Sequence, residues 1–236
     1  MKIGGLQRLT LIDYPGRLAA TLFLIGCNFR CGFCYSSELV LPEKIKNQPV
    51  FSKKEVFSFL KQRKELLEGV VLCGGEPTIN NSLPSFIKEL KKLGFLVKLD
   101  TNGSNPKMLK HLIDKKLINY VAMDIKAPKE KYAQVIEVSR FLKSNIIKNI
   151  EKSINILKKS GIDYEFRTTV VPGLLGKKDI LKIVHWIKPA KRYYLQNFKG
   201  EKTVNPRFES LRPYPRDYLL EIQHAISPFF DICHVR

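Results

Sequence analysis

The sequence predicts an α/β fold of parallel strands with outer helices, on three observations. Apolar, β-branched runs of four to eight residues alternate with longer Lys- and Glu-bearing stretches whose apolar positions recur at helical spacing. The run Gly69-Val-Val-Leu-Cys73 has no polar alternation, as expected of a strand buried on both faces. The unusual polar residues fall one after another at strand ends.

The elements follow in order. Ala20 to Ile25 reads as the first strand. Ser52 opens a helix through the capping box Ser52-Lys53-Lys54-Glu55, with Val56, Phe57 and Leu60 along one stripe. Gly69 to Cys73 is the second strand, and Leu83 to Leu93 a helix stopped at Gly94. Phe95 to Leu99 is the third strand, followed by a helix over Pro106 to Lys115. Tyr120 to Ile125 is the fourth strand, and Lys129 to Asn145 fits no single pattern. Ile146, Ile150, Ile154 and Leu157 mark a helix from Ile146 to Lys159 that ends at Gly161. Asp163 to Val171 is the fifth strand, Lys178 to Ile187 a helix closed by Pro189, and Arg192 to Gln196 the sixth strand. A short helix near Arg216 to Ala225 and an edge strand at Phe230 to Val235 complete the chain. Glu38 to Val50 is an excursion, and Phe198 to Pro215 a proline-containing loop.

Such β-then-α units imply parallel strands with right-handed crossovers, in a barrel-like or an open doubly wound sheet. In both, chemistry belongs at the carboxyl ends of the strands. Gly26-Cys27, Gly74-Gly75-Glu76-Pro77, Asp100-Thr101-Asn102-Gly103, Asp124-Ile125-Lys126, Arg167 to Pro172 and Gln196-Asn197 all stand there. With no composition break or internal repeat, the chain reads as a single domain over 1–236, its core about 18–198 and a C-terminal extension over 199–236.

At 236 residues with 44% hydrophobic and 27% charged residues, a packed globule is expected rather than a disordered chain. The best apolar run, Leu18 to Ile25, has only strand length, so no membrane span is expected. The N-terminus lacks a charged head followed by an apolar core, so a cytoplasmic location is expected. A net charge of +19 would attract an acidic partner, nucleic acid or anionic lipid. Lysines coating the solvent faces of helices explain the same number. No compact Arg cluster interleaved with stacking aromatics is present, and nucleic acid is not an expected partner.

Of the five cysteines, Cys27, Cys31 and Cys34 lie within eight residues in a C-x3-C-x2-C pattern, while Cys73 and Cys233 stand apart. Three thiolates on one loop can converge on a metal centre. A closed zinc site needs a fourth ligand, which Cys73 could supply unless it packs in the core. A four-iron cluster held by three cysteines instead leaves one iron open.

This spacing resembles that of the radical S-adenosylmethionine (SAM) enzymes, in which the amino and carboxylate groups of SAM chelate the open iron of a [4Fe-4S] cluster. There, reductive cleavage of the sulfonium S–C bond yields methionine and a 5′-deoxyadenosyl radical that abstracts hydrogen. The resemblance implies Cys27, Cys31 and Cys34 as metal ligands, with no catalytic side chain beyond the cluster and SAM. Phe33 matches the aromatic residue that precedes the third cysteine near the adenine, and Tyr35 follows it beside the cofactor. Gly74-Gly75-Glu76-Pro77 is similar to the family's GGEP-type motif, whose glycines let the backbone approach the methionyl amine.

Asp100-Thr101-Asn102-Gly103 and Asp124-Ile125-Lys126 resemble motifs of the glycyl-radical enzyme activases. That implies a SAM pocket containing Asp100, Asn102, Asp124 and Lys126, completed by Arg167 and Gln196. A rim salt bridge is the competing reading for each Asp–Lys pair. Gly4-Gly5-Leu6-Gln7 and Leu11-Ile12-Asp13-Tyr14-Pro15-Gly16 are similar to the N-terminus of proteins assigned as activators of anaerobic ribonucleoside-triphosphate reductase. Where family members often carry His-Asn after the third cysteine, Tyr35-Ser36 stands here.

The resemblance thus implies a partial (β/α)6 barrel of the radical SAM type. It also implies one [4Fe-4S] cluster, SAM, a glycyl-radical enzyme as partner, and reduced ferredoxin or flavodoxin as electron donor. A radical SAM enzyme acting on a small molecule such as a nucleobase precursor is the alternative.

Overall fold

The computed structural model describes residues 1–137 and 140–236, and the side chains of all of these except 140–144. The elements run β1 (Ile3–Thr10), β2 (Ala19–Leu24), α1 (Ser37–Val40), α2 (Pro42–Ile45), α3 (Lys53–Gln62), β3 (Gly69–Gly74), α4 (Leu83–Lys92) and β4 (Leu96–Thr101). They continue with α5 (Pro106–Asp114), β5 (Tyr120–Asp124), α6 (Lys129–Val135), α7 (Arg140–Lys159), β6 (Asp163–Val170), α8 (Lys177–Ile187), β7 (Ala190–Asn197), α9 (Arg216–Ile226) and β8 (Phe230–Val235). The strands form one mixed, mostly parallel sheet in chain order, β1 to β8, with helices between them. Among the described residues no helix is long and apolar enough to cross a membrane.

The α/β class is as the sequence predicts, with two corrections. The edge strand at Phe230 to Val235 is present as β8, but an eighth strand, β1, joins the sheet ahead of those expected, and it runs antiparallel to β2. The twin glycines and the Gln7-Arg8 pair hide β1 from a propensity argument, since its extended form is fixed by pairing. The excursion after the cysteines holds the two short helices α1 and α2. The stretch 129–145 begins with α6, and residues 138 and 139 lie outside the described residues.

The residues fall into two compact units. The first comprises Met1–Asn28, Glu38–Thr101 and Lys107–Val121. Here β2, β3 and β4 are parallel, with Thr21 level with Val71, and Val71 with Lys98. Because side chains alternate, Leu22, Leu24, Val70, Leu72, Val97 and Leu99 share one face, all fully buried. Leu83, Phe86, Ile87 and Leu90 form the buried stripe of α4 and contribute about 2 kcal/mol each. The opposite face carries Thr21, Val71, Cys73, Lys98 and Asp100. The capping box of α3 is present: the Ser52 side chain accepts from Glu55 N at 3.2 Å, and Ser52 N donates to Glu55 Oε2 at 2.7 Å.

The second unit comprises Phe29–Ser37, Asn102–Pro106 and Ala122–Arg236. Strands β6, β7 and β8 are parallel, with Arg167 beside Tyr194 and Thr169 beside Gln196. Phe166, Thr168, Val170, Tyr193 and Leu195 occupy one face; Glu165, Arg167, Thr169, Tyr194 and Gln196 occupy the other. The buried Glu165 carboxylate accepts from Arg236 at 2.9 and 3.3 Å, and that guanidinium lies 3.5 Å from the Tyr194 ring centroid.

Candidate active site

In the first unit, β2 ends at Leu24 and the chain turns through Gly26 into Cys27. The turn is bolted to the end of β3: Gly75 N donates to Leu24 O and Glu76 N to Gly26 O, both at 2.8 Å. Gly74 has φ +109°, and a Cβ there would meet Leu24 N at 2.3 Å. A Cβ on Gly75 would lie 1.9 Å from Gly26 O. Both glycines are thus required by the close approach of two strand ends, whatever else approaches them.

The Glu76 side chain is fully buried. Its Oε1 accepts from Thr78 N at 3.0 Å, Thr78 Oγ1 at 2.5 Å and Thr101 Oγ1 at 2.7 Å. It caps the 3-10 turn Pro77–Ile79 and ties β3 to the end of β4. Asp100, also buried, pairs with Lys98 two residues earlier on the same face of β4. The Lys98 ammonium lies 5.9 Å from the Tyr120 ring centroid. Cys73 packs against the cluster of Tyr14, Ala19, Val71 and Tyr120.

In the second unit, Cys31 to Cys34 form a turn closed by Cys34 N donating to Cys31 O at 3.0 Å. Cys31 and Phe33 are buried, whereas Tyr35 is 58% exposed with the Lys199 ammonium 5.9 Å from its ring centroid. Asp124, at the end of β5, accepts from Lys126 Nζ at 2.9 Å and from Arg167 Nε at 2.8 Å. Burial works against its ionised form, but Arg167 and Lys126 outweigh that and hold the carboxyl well below the usual carboxylate range. Burial likewise opposes the charge of Lys126; the negative charges of Asp124, Cys31 and Cys34 prevail and raise its pKa.

The Tyr132 hydroxyl, whose pKa is raised by burial, accepts from Lys126 N at 3.4 Å. Asn102 turns its Oδ1 to Ser104 N at 2.9 Å, and α7 fixes that turn through Ser153 Oγ donating to Gly103 O at 2.7 Å. Gln196 lies half-buried on β7, level with Thr169.

Of the residues expected from sequence, the structure brings Asp124, Lys126 and Arg167 into one bonded group, with Cys31 and Cys34 near enough to act on Lys126. It brings Gly74, Gly75 and Glu76 against the turn that leads into Cys27. Lys98, paired with Asp100, and Tyr132, bonded to Lys126 N, adjoin these groups without having been singled out from sequence. A charged residue between Val97 and Leu99, in step with Asp100, was the available signal for Lys98.

The donor chemistry fits an iron–sulfur cluster. All five cysteines are thiols. Lys126 provides a positive charge beside Cys31 and Cys34, the sign that complements metal-bound thiolates. Among the described residues no group of three or more His, Cys, Asp or Glu side chains is arranged around a single metal ion. A cubane makes no such demand, because each thiolate takes its own iron.

In each unit thiols, glycines or paired charges stand at the carboxyl ends of parallel strands, where enzymes of the α/β class carry their chemistry. The radical SAM superfamily pattern matches residues 21–187. The chain is 33% identical over 240 residues to a Methanocaldococcus jannaschii protein assigned as a glycyl-radical enzyme activating enzyme, covering 99% of this chain and 95% of that one. A second protein of that organism, assigned the same role, is 28% identical over 88% of this chain and 80% of its own length. Among solved structures, TYW1 with a lysine-pyruvate adduct superposes with a TM-score of 0.62 at 18% identity, over 89% of this chain and 73% of that one. The chain belongs to the radical SAM superfamily, and it is a radical SAM enzyme. Membership implies a [4Fe-4S] cluster and SAM as its cofactors.

Proposed function

We propose that this enzyme activates a glycyl-radical enzyme, with anaerobic ribonucleoside-triphosphate reductase as the partner. The observation that carries the reading is the 33% identity over 99% of the chain to a protein assigned that role. The resemblance of Gly4-Gly5-Leu6-Gln7 and Leu11 to Gly16 to reductase activators supports the choice of partner. Cys27, Cys31 and Cys34 would hold the cluster. Phe33, Tyr35, Gly74, Gly75, Glu76, Asp100, Asn102, Asp124, Lys126, Arg167 and Gln196 would line the SAM pocket.

When bound, the cluster and SAM supply one-electron cleavage of a sulfonium bond and abstraction of a hydrogen atom. The protein's share is to bind, orient and exclude water. Lys126 is held charged for an anionic group of the cofactor, its ammonium bonded to Asp124, whose other oxygen is held by Arg167. Glu76 and the two glycines hold the end of β3 rigid. A hydrogen atom moves rather than a proton, so no general base is required. The electron would come from reduced ferredoxin or flavodoxin in the cytoplasm.

Anaerobically reconstituted protein, mixed with SAM, a reductant and the reductase, should produce a glycine-centred radical signal in electron paramagnetic resonance. SAM cleavage without that signal would refute the partner. Turnover of a small molecule with no protein partner would favour the alternative reading.

A further inference from the structure

We propose that residues 203–208 form a strap that positions the Cys31–Cys34 turn and screens it from water, with Phe208 as its positioning residue. The inference rests on the reading that these cysteines hold the cluster. Val204 N donates to Cys34 O and Asn205 N to Gly32 O, both at 2.9 Å, so the strap satisfies two carbonyls of the turn. The strap is itself braced: the buried Thr203 donates through Oγ1 to Asn205 O at 2.8 Å, and Asn205 Oδ1 accepts from Arg207 N at 3.1 Å.

Phe208 then meets Phe33 and Phe198 edge-on, each with centroids 6.4 Å apart. The fit against the turn is tight. A Cβ on Gly32 would lie 2.7 Å from Phe208 Cε2, 3.1 Å from Glu137 Oε1 and 3.3 Å from Asn205 Cβ. Just ahead of the turn, Arg30 N donates to Ile136 O at 2.9 Å, so a second segment is bonded to the chain where it enters the turn.

A turn held in advance loses less conformational freedom when its thiols bind metal. Apolar cover also bears on the electron. Reduction adds negative charge to a thiolate-bound cluster, and water stabilises that charge, so excluding water keeps the potential low.

The test compares the reconstituted wild type with Phe208→Ala and Phe208→Leu by iron content, rate of bleaching in air and midpoint potential. Phe208→Ala with wild-type iron should bleach several-fold faster and titrate at a more positive potential. Phe208→Leu, which keeps apolar bulk, should fall between the two. A Phe208→Ala protein with wild-type iron, bleaching rate and potential would overturn the strap.

A wild type that takes up no iron would instead overturn the cluster reading, and the strap is then judged on the iron-free protein. There Gly32→Ala should lower the urea midpoint, and should lower it less in the Phe208→Ala background. Fully additive penalties would remove the strap contact.

Discussion

Asp124 and Gly75 show how single residues constrain the strand ends on which they stand. Asp124 is three-quarters buried between two cations, and its carboxyl stays ionised well below the usual carboxylate range. A carboxyl with a lowered native pKa adds stability that is complete above its unfolded value and is lost as pH falls through the native one. Asp124→Asn should therefore cost about 2 kcal/mol at neutral pH, because two cations lose their partner. The gap to wild type in urea midpoint should stay constant from about pH 5 to 8 and shrink only in stronger acid. A gap that shrinks already at pH 6 would contradict the assignment. Gly75→Ala meets backbone rather than a movable side chain, with 1.9 Å to Gly26 O. It should cost more than about 3 kcal/mol or abolish folding, read by thermal denaturation. The charge at Asp124 and Lys126 was legible in the sequence; the period-two step from Lys98 to Asp100 was visible too, but not the burial of the pair, because a lone lysine in a strand usually marks a solvent-facing position.

At the scale of elements, local chemistry predicted most boundaries to within a residue or two. The capping box at Ser52 starts α3 where the sequence places it. Ser52→Ala should cost about 1 kcal/mol in equilibrium unfolding. It should leave iron content and SAM cleavage unchanged, since α3 begins far along the chain from every candidate site residue. The sixth strand is longer than the Arg192 to Gln196 expected: β7 spans Ala190–Asn197 because parallel pairing to β6 and β8 carries Ala190, Lys191 and Asn197 into extended form. The loop Phe198 to Pro215 has no periodicity, yet it supplies the bonds to Gly32 and Cys34. No local signal marks such a segment, because its conformation is set by the turn it grips.

For the whole molecule, the charge of +19 is the property with a direct consequence. If it steers docking, association with an acidic partner should slow markedly between low and physiological salt while dissociation changes less. Stopped-flow mixing at several ionic strengths reads this, and an association rate independent of salt would leave the lysines as solubilising cover. The sequence by itself determined the α/β class, the three-cysteine loop and the succession of polar residues after each strand, because alternation, capping and ligand spacing are local properties of the chain. Only the tertiary structure decided that β1 joins the sheet antiparallel, that Gly75 faces the carbonyl of Gly26, that Lys98 neutralises Asp100, and that residue 208 lies against residue 32. Each of these joins positions distant in sequence or depends on which face a side chain takes, and packing settles both only once the strands have found their neighbours.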